Sequence, residues 1–104
     1  MAEKRNAGVR RLSDAEEMIM TIIWRAQEDL ALMDIRKRVN SEYDKQWKPQ
    51  TVSTFLHRLR EKGFLRSYRA GRQTYYQPVI LLQDYREDVF RTIVDRLYEG
   101  HFSM

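Results

Sequence analysis

Between positions 50 and 58 the chain reads QTVSTFLHR, and six of these side chains, Gln50, Thr51, Ser53, Thr54, His57 and Arg58, can make hydrogen bonds and are mostly small and neutral. A helix face that only meets water usually carries Glu and Lys instead. These residue types suit the edges of DNA bases. Gln can pair with adenine, Ser and Thr with several edges or with phosphates, and a Thr methyl can meet the methyl of thymine. His57 and Arg58 lie further along and have the reach for bases or backbone. Lys48 precedes the stretch, and Arg66, Arg69, Arg72 and Gln73 follow it. These long cations, with the neutral Gln73 beside them, would supply phosphate contacts or a wing insertion, which give affinity and salt dependence but little sequence information.

Catalytic chemistry finds no comparable set. The chain has two histidines, His57 and His101, and no cysteine, and neither His has the spacing of a metal pair. Gly8, Gly63, Gly71 and Gly100 stand alone, so no phosphate-cradling loop is present, and no G-x-S-x-G nucleophile elbow appears. Glu16 and Glu17 are explained as acids at the positive end of a helix rather than as an acid–base pair. The expectation is a protein that is not an enzyme and needs neither cofactor nor metal. The lack of Cys also excludes disulfides and fits a reducing cytoplasm. No apolar run approaches the roughly 18 residues that span a bilayer, and the start lacks the apolar segment of a secretory signal.

Charge is unevenly spread. The net value is +4, but residues 48–72 hold seven basic groups against Glu61 alone, and residues 1–12 hold Lys4, Arg5, Arg10 and Arg11 against Glu3. The intervening and closing segments are acidic on balance. Such clustering is the footprint of a protein that meets a polyanion. Arg10 and Arg11 join the backbone-holding set as part of a flexible basic arm over 1–11.

These groups need a scaffold, and the chain supplies one. Ser13 with Glu16 forms a capping box that opens a first helix, whose apolar face is Ala15, Met18, Ile19, Ile22, Ile23 and Ala26, with Trp24 at its edge. A short second helix near 31–41 buries Leu32, Ile35 and Val39, and Trp47 anchors the connector after it. Pro49 suits the first position of a third helix and Gly63 its end. Val52, Phe55, Leu56 and Leu59 fall within about 100° of arc on that helix, opposite the hydrogen-bonding groups. Segments 64–69 and 73–77 flank Ala70-Gly71-Arg72 as a β-hairpin, stopped by Pro78, whose inward face the pattern leaves open. A last helix over 82–98, closed by Gly100, carries two apolar stripes, Tyr85, Val89, Ile93 and Leu97 beside Phe90, Val94 and Tyr98. Apolar residues over so much of a helix predict a partner on each side.

The order helix, helix, helix, hairpin predicts a mainly α fold with a small β-hairpin: a winged helix-turn-helix at 12–78, followed over 79–104 by a long interface helix. In that geometry the later helix of the pair enters the major groove.

The pattern L-S-x-x-E-x-x-I-M-x-x-I-W, on Leu12, Ser13, Glu16, Ile19, Met20, Ile23 and Trp24, resembles the penicillinase-repressor family of winged-helix regulators, the BlaI/MecI/CopY type. So does the run from Trp47 through Pro49, Thr51, Val52, Thr54, Leu56, Arg58, Leu59, Lys62 and Gly63, with the wing GRQTYYQP. The resemblance implies a cytoplasmic homodimeric repressor of palindromic operators, with Gln50, Thr51, Ser53, Thr54, His57 and Arg58 in the recognition helix. It also implies a regulatory protease as a further partner in members tied to β-lactam resistance, cutting at an Asn-Phe bond near the end of the long helix, where this chain has His101-Phe102. Lys48 stands where the family favours Ser, which makes the cap weaker and a phosphate contact more natural. No Cys-rich tail is present, as a copper-responsive member would have. The sequence ends at EGHFSM, before the family's further dimerisation helix, so the dimerisation element is expected to be incomplete. The contrasting expectation is a winged-helix protein-interaction module whose basic face meets an acidic partner.

Overall fold

The computed structural model describes residues 12–102, with side-chain surroundings for 12–98. The arm 1–11 with Arg10 and Arg11, and the side chains of His101 and Phe102, lie outside the described residues. Among the described residues, four helices and three strands follow in the order α1 (Asp14–Arg25), β1 (Leu30–Ala31), α2 (Leu32–Glu42), α3 (Pro49–Glu61), β2 (Leu65–Ala70), β3 (Gln73–Pro78) and α4 (Leu82–Phe102). Residues 12–80 form one compact unit, and residues 81–102 belong to another.

Helix α1 starts at the expected box. The Glu16 amide donates to Ser13 Oγ at 3.2 Å, and the Ser13 amide donates to Glu16 Oε1 at 2.8 Å. Helices α1, α2 and α3 pack on one another around Ile19, Met20, Ile35, Val39, Val52 and Leu59, all fully buried, with Phe64 beneath the start of the hairpin. Met20 lies outside the predicted apolar face yet has no exposure, because α1 is covered by α2, α3 and the sheet rather than along one stripe. Trp24 is half-buried at the edge of the unit, and its indole N–H donates to the Ile80 carbonyl at 2.9 Å.

The hairpin is part of a three-stranded antiparallel sheet in the order β1-β3-β2. Leu30 and Ala31 pair with Tyr76 and Tyr75, so a two-residue strand precedes α2 where the sequence reading placed none. Ala70 pairs with Gln73, which leaves Gly71 and Arg72 as a two-residue turn, and Gly71 supplies the positive φ, +66°, that such turns require. The register settles the inward face: Leu65 and Tyr76 are buried, whereas Arg66, Tyr68, Tyr75 and Gln77 share the opposite face.

Helix α4 runs through Gly100 to Phe102 instead of closing there. A helical Gly costs only about 1 kcal/mol relative to Ala and no Pro follows, so hydrogen bonding carries the helix past it.

Candidate nucleic-acid interface

The third helix presents the predicted face. Val52, Leu56 and Leu59 point into the core, and Gln50, Ser53, Thr54, His57 and Arg58 are exposed, with Thr51 half-buried. At about 100° per residue, Gln50, Ser53, Thr54 and His57 share one side and span about 10 Å along the axis. Thr51 and Arg58 lie on the flank beside Phe55, and Arg60 lies on the opposite flank. The Thr54 hydroxyl donates to the Gln50 carbonyl at 3.0 Å, which leaves an acceptor oxygen and a methyl group to offer outward. The Arg58 guanidinium sits 5.8 Å from the centre of the Phe55 ring, a cation–π distance that limits its freedom before any ligand arrives. Phe55 in turn packs on Trp47 at 5.3 Å between ring centres, which makes Trp47 the anchor the sequence suggested.

The cations around this face play two different parts. Lys62 Nζ donates to Glu16 Oε1 at 2.6 Å, and Glu16 is 2% exposed. Burial pushes the Glu16 carboxyl up, but hydrogen bonds from Lys62 and Ser13 and the Lys62 charge together hold it below its ordinary value of 4.5. Lys62 is therefore a structural cation. Arg66 Nε donates to Gln77 Oε1 at 2.9 Å, Gln77 donates to Asp29 at 3.0 Å, and the Tyr68 hydroxyl donates to the same Asp29 oxygen at 2.5 Å. Tyr68 stacks on Tyr75 at 5.7 Å, and the hydrogen bond to Asp29 raises the Tyr68 phenol above its ordinary range. Lys48, Arg69, Arg72 and Gln73 are exposed, Arg72 in the wing turn itself. Among the described residues, ion pairs join Arg25 to Glu42, Arg38 to Glu28 and Lys62 to Glu16, and none neutralises Lys48, Arg58, Arg60, Arg66, Arg69 or Arg72.

Two residues that the sequence does not mark hold the approach to α3. Arg36 and Asn40, both on α2, hydrogen-bond the main chain of Trp47 just ahead of α3. Their one legible signal was i, i+4 spacing on a helix, which many exposed pairs share. No group of His, Asp and Glu among the described residues could hold a metal ion, and no helix there is long and apolar enough to cross a membrane.

Three helices closed by a hairpin, with an exposed hydrogen-bonding face on the third helix, define a winged helix-turn-helix protein. A model of the penicillinase repressor family matches residues 12–104, and the chain belongs to that family, one of transcriptional repressors rather than enzymes. The penicillinase repressor of Bacillus licheniformis is 33% identical over 89 residues, covering 86% of this chain and 67% of that one. The methicillin resistance regulatory protein MecI of Staphylococcus aureus is 26% identical over 92 residues, covering 88% of this chain and 72% of its own. Among solved structures, the DNA-binding domain of the repressor BlaI aligns at a TM-score of 0.62 and 32% identity over 74% of this chain and 90% of that one. The monomeric form of Bacillus licheniformis BlaI in complex with the blaP half-operator aligns at 0.60 with the same identity and coverage.

Proposed function

We propose that this chain is a sequence-specific DNA-binding transcriptional repressor that acts in the cytoplasm as a homodimer on a palindromic operator, blocking a promoter by occupying it. The observation that carries the proposal is the exposed face of α3, where small hydrogen-bonding groups are bordered by cations with no acid to neutralise them. The likeness to a BlaI structure solved on a half-operator supports the same reading. In this account Gln50, Thr51, Ser53 and Thr54 read base edges, His57 and Arg58 reach bases or backbone, and Lys48, Arg66, Arg69, Arg72 and Gln73 hold phosphates. Arg10 and Arg11 of the arm add to the phosphate contacts.

Dimerisation is assigned to α4. Phe90, Ile93, Leu97 and Tyr98 are exposed large hydrophobic groups on one helix, with Tyr85, Val89 and Val94 half-buried beside them. Pairing through a two-fold axis would set two recognition helices against an inverted repeat.

Genomic fragments captured on the immobilised protein and then mapped by nuclease protection test the proposal. An inverted repeat with half-sites spaced by whole helical turns is expected. Capture of DNA without sequence preference, or none at all, would leave the protein-interaction module as the better account.

A further inference from the structure

The start of α3 has no side-chain cap. Lys48 occupies the cap position without a side-chain hydrogen bond, and Pro49 at the first turn has no amide to give. The chain is held one residue earlier instead. The Trp47 carbonyl accepts from Arg36 Nε at 2.7 Å and from Asn40 Nδ2 at 3.1 Å, and the Trp47 amide donates to Asn40 Oδ1 at 3.0 Å. One side-chain amide thus satisfies both main-chain groups of Trp47. The arrangement fixes the amide orientation, since a flipped Asn40 would set N–H against N–H and oxygen against oxygen. The main-chain carbonyl of Asn40 also accepts from the Lys45 amide at 3.1 Å, so a single residue of α2 pins the connector at two places.

From Trp47 the constraint passes directly into the reading face. Its ring packs on Phe55, Phe55 lies under Arg58, and the Lys48 carbonyl accepts from the Val52 amide at 3.2 Å to begin the helix. Gln50, Thr51, Ser53 and Thr54 occupy the turn and a half that follows this anchor.

We infer that Asn40, assisted by Arg36, is a positioning residue that places the first turn of α3 and thereby sets sequence discrimination without touching DNA. The inference rests on the DNA-reading function proposed above. Hydrogen bonds to base edges operate over a narrow range of distances, so a shifted helix start loses them. Contacts from long cations to phosphates tolerate the same shift, because flexible side chains follow it. Loss of the clamp therefore lowers discrimination more than it lowers affinity.

The test compares the full chain with Asn40→Ala and Asn40→Asp on one genomic fragment that the wild type selects and on random duplex. For Asn40→Ala the ratio of the two affinities is expected to fall about tenfold, the scale of one lost base-edge pairing. Random-duplex affinity is expected to stay within about twofold, since phosphate contacts supply it. Asn40→Asp keeps the acceptor for the Trp47 amide but loses the donor, and should fall between. Hydrogen exchange without DNA gives an independent reading: the Trp47 and Val52 amides should exchange faster in Asn40→Ala while those of Ile19 to Ile23 do not. An unchanged ratio, an equal loss on both DNAs, or unchanged exchange at Trp47 and Val52 would overturn the inference. Faster exchange there in a protein whose wild type selects no sequence would sustain the placement of α3 by Asn40 and overturn the DNA-reading function. Should Asn40→Ala fail to fold, Asn40→Asp and Arg36→Lys carry the same comparison.

Discussion

The Glu16 carboxylate and the Lys62 ammonium, 46 positions apart, meet at 2.6 Å and join the first turn of α1 to the residue that ends α3. Glu16 thereby serves twice, since the same Oε1 that accepts from Lys62 also closes the capping box with Ser13. Helix α3 is fixed at its far end by this pair and at its near end by Trp47.

A pH dependence follows. The folded Glu16 carboxyl titrates below its ordinary value of 4.5, so its contribution to stability is present above that value and is lost as pH falls through the folded one. Glu16→Gln preserves the capping box and removes only the charge. At neutral pH it should cost about 1–3 kcal/mol, less than a wholly buried pair because Lys62 keeps some contact with water. Thermal unfolding of both proteins across acidic pH should show the two curves converging as pH drops. A constant gap would contradict the assignment.

Base-reading and backbone-holding residues should separate under mutation. Arg72→Ala is expected to weaken binding on all sequences alike and to reduce the salt slope by about one unit. Thr54→Ala should instead change preference at particular base pairs, by about 1–3 kcal/mol at each. Binding isotherms on a panel of single-base variants distinguish the two patterns, and identical behaviour would refute the division of roles.

On α4, Phe90→Asp together with Leu97→Asp should weaken self-association by at least about tenfold, since burial of each large apolar side chain is worth about 1.5–3 kcal/mol. Sedimentation equilibrium measures it. A wild type that stays monomeric at high concentration, or a variant that dimerises as tightly, would remove α4 from the interface.

Gly63 follows the C-cap of α3 with φ of +84°, and a Cβ built there meets nothing within 4 Å. Gly63→Ala should therefore cost only backbone strain, about 1–2 kcal/mol, with Gly63→Asn milder. Denaturant unfolding checks this, and a much larger loss would mean that the position is crowded.

Much of the scaffold could be read from local chemistry. The Ser13–Glu16 box, Pro49, Gly63 and Gly71 each act within a few residues, and the opposition of Val52, Leu56 and Leu59 to Gln50, Ser53 and Thr54 is a matter of helical period alone. What escaped depends on distant partners. Leu30–Ala31 is too short to show alternation and becomes a strand only because Tyr75 and Tyr76 lie beside it. Lys62 counts as one more cation in a basic run, and nothing local marks it as the partner of Glu16. Asn40 and Arg36 look like solvated helix residues until the connector folds back to bring Trp47 to them. Met20 departs from the expected stripe for a related reason, because one stripe does not describe a helix covered on several sides.

Titration of duplex DNA at several salt concentrations, with a selected genomic fragment set against a scrambled copy of it, tests the central claim most directly. The account predicts a steep linear fall of log affinity with log salt on both duplexes, and a selected fragment that binds at least about a thousandfold tighter at physiological salt. Equal affinity for the two duplexes at every salt concentration, or no binding even at low salt, would contradict it.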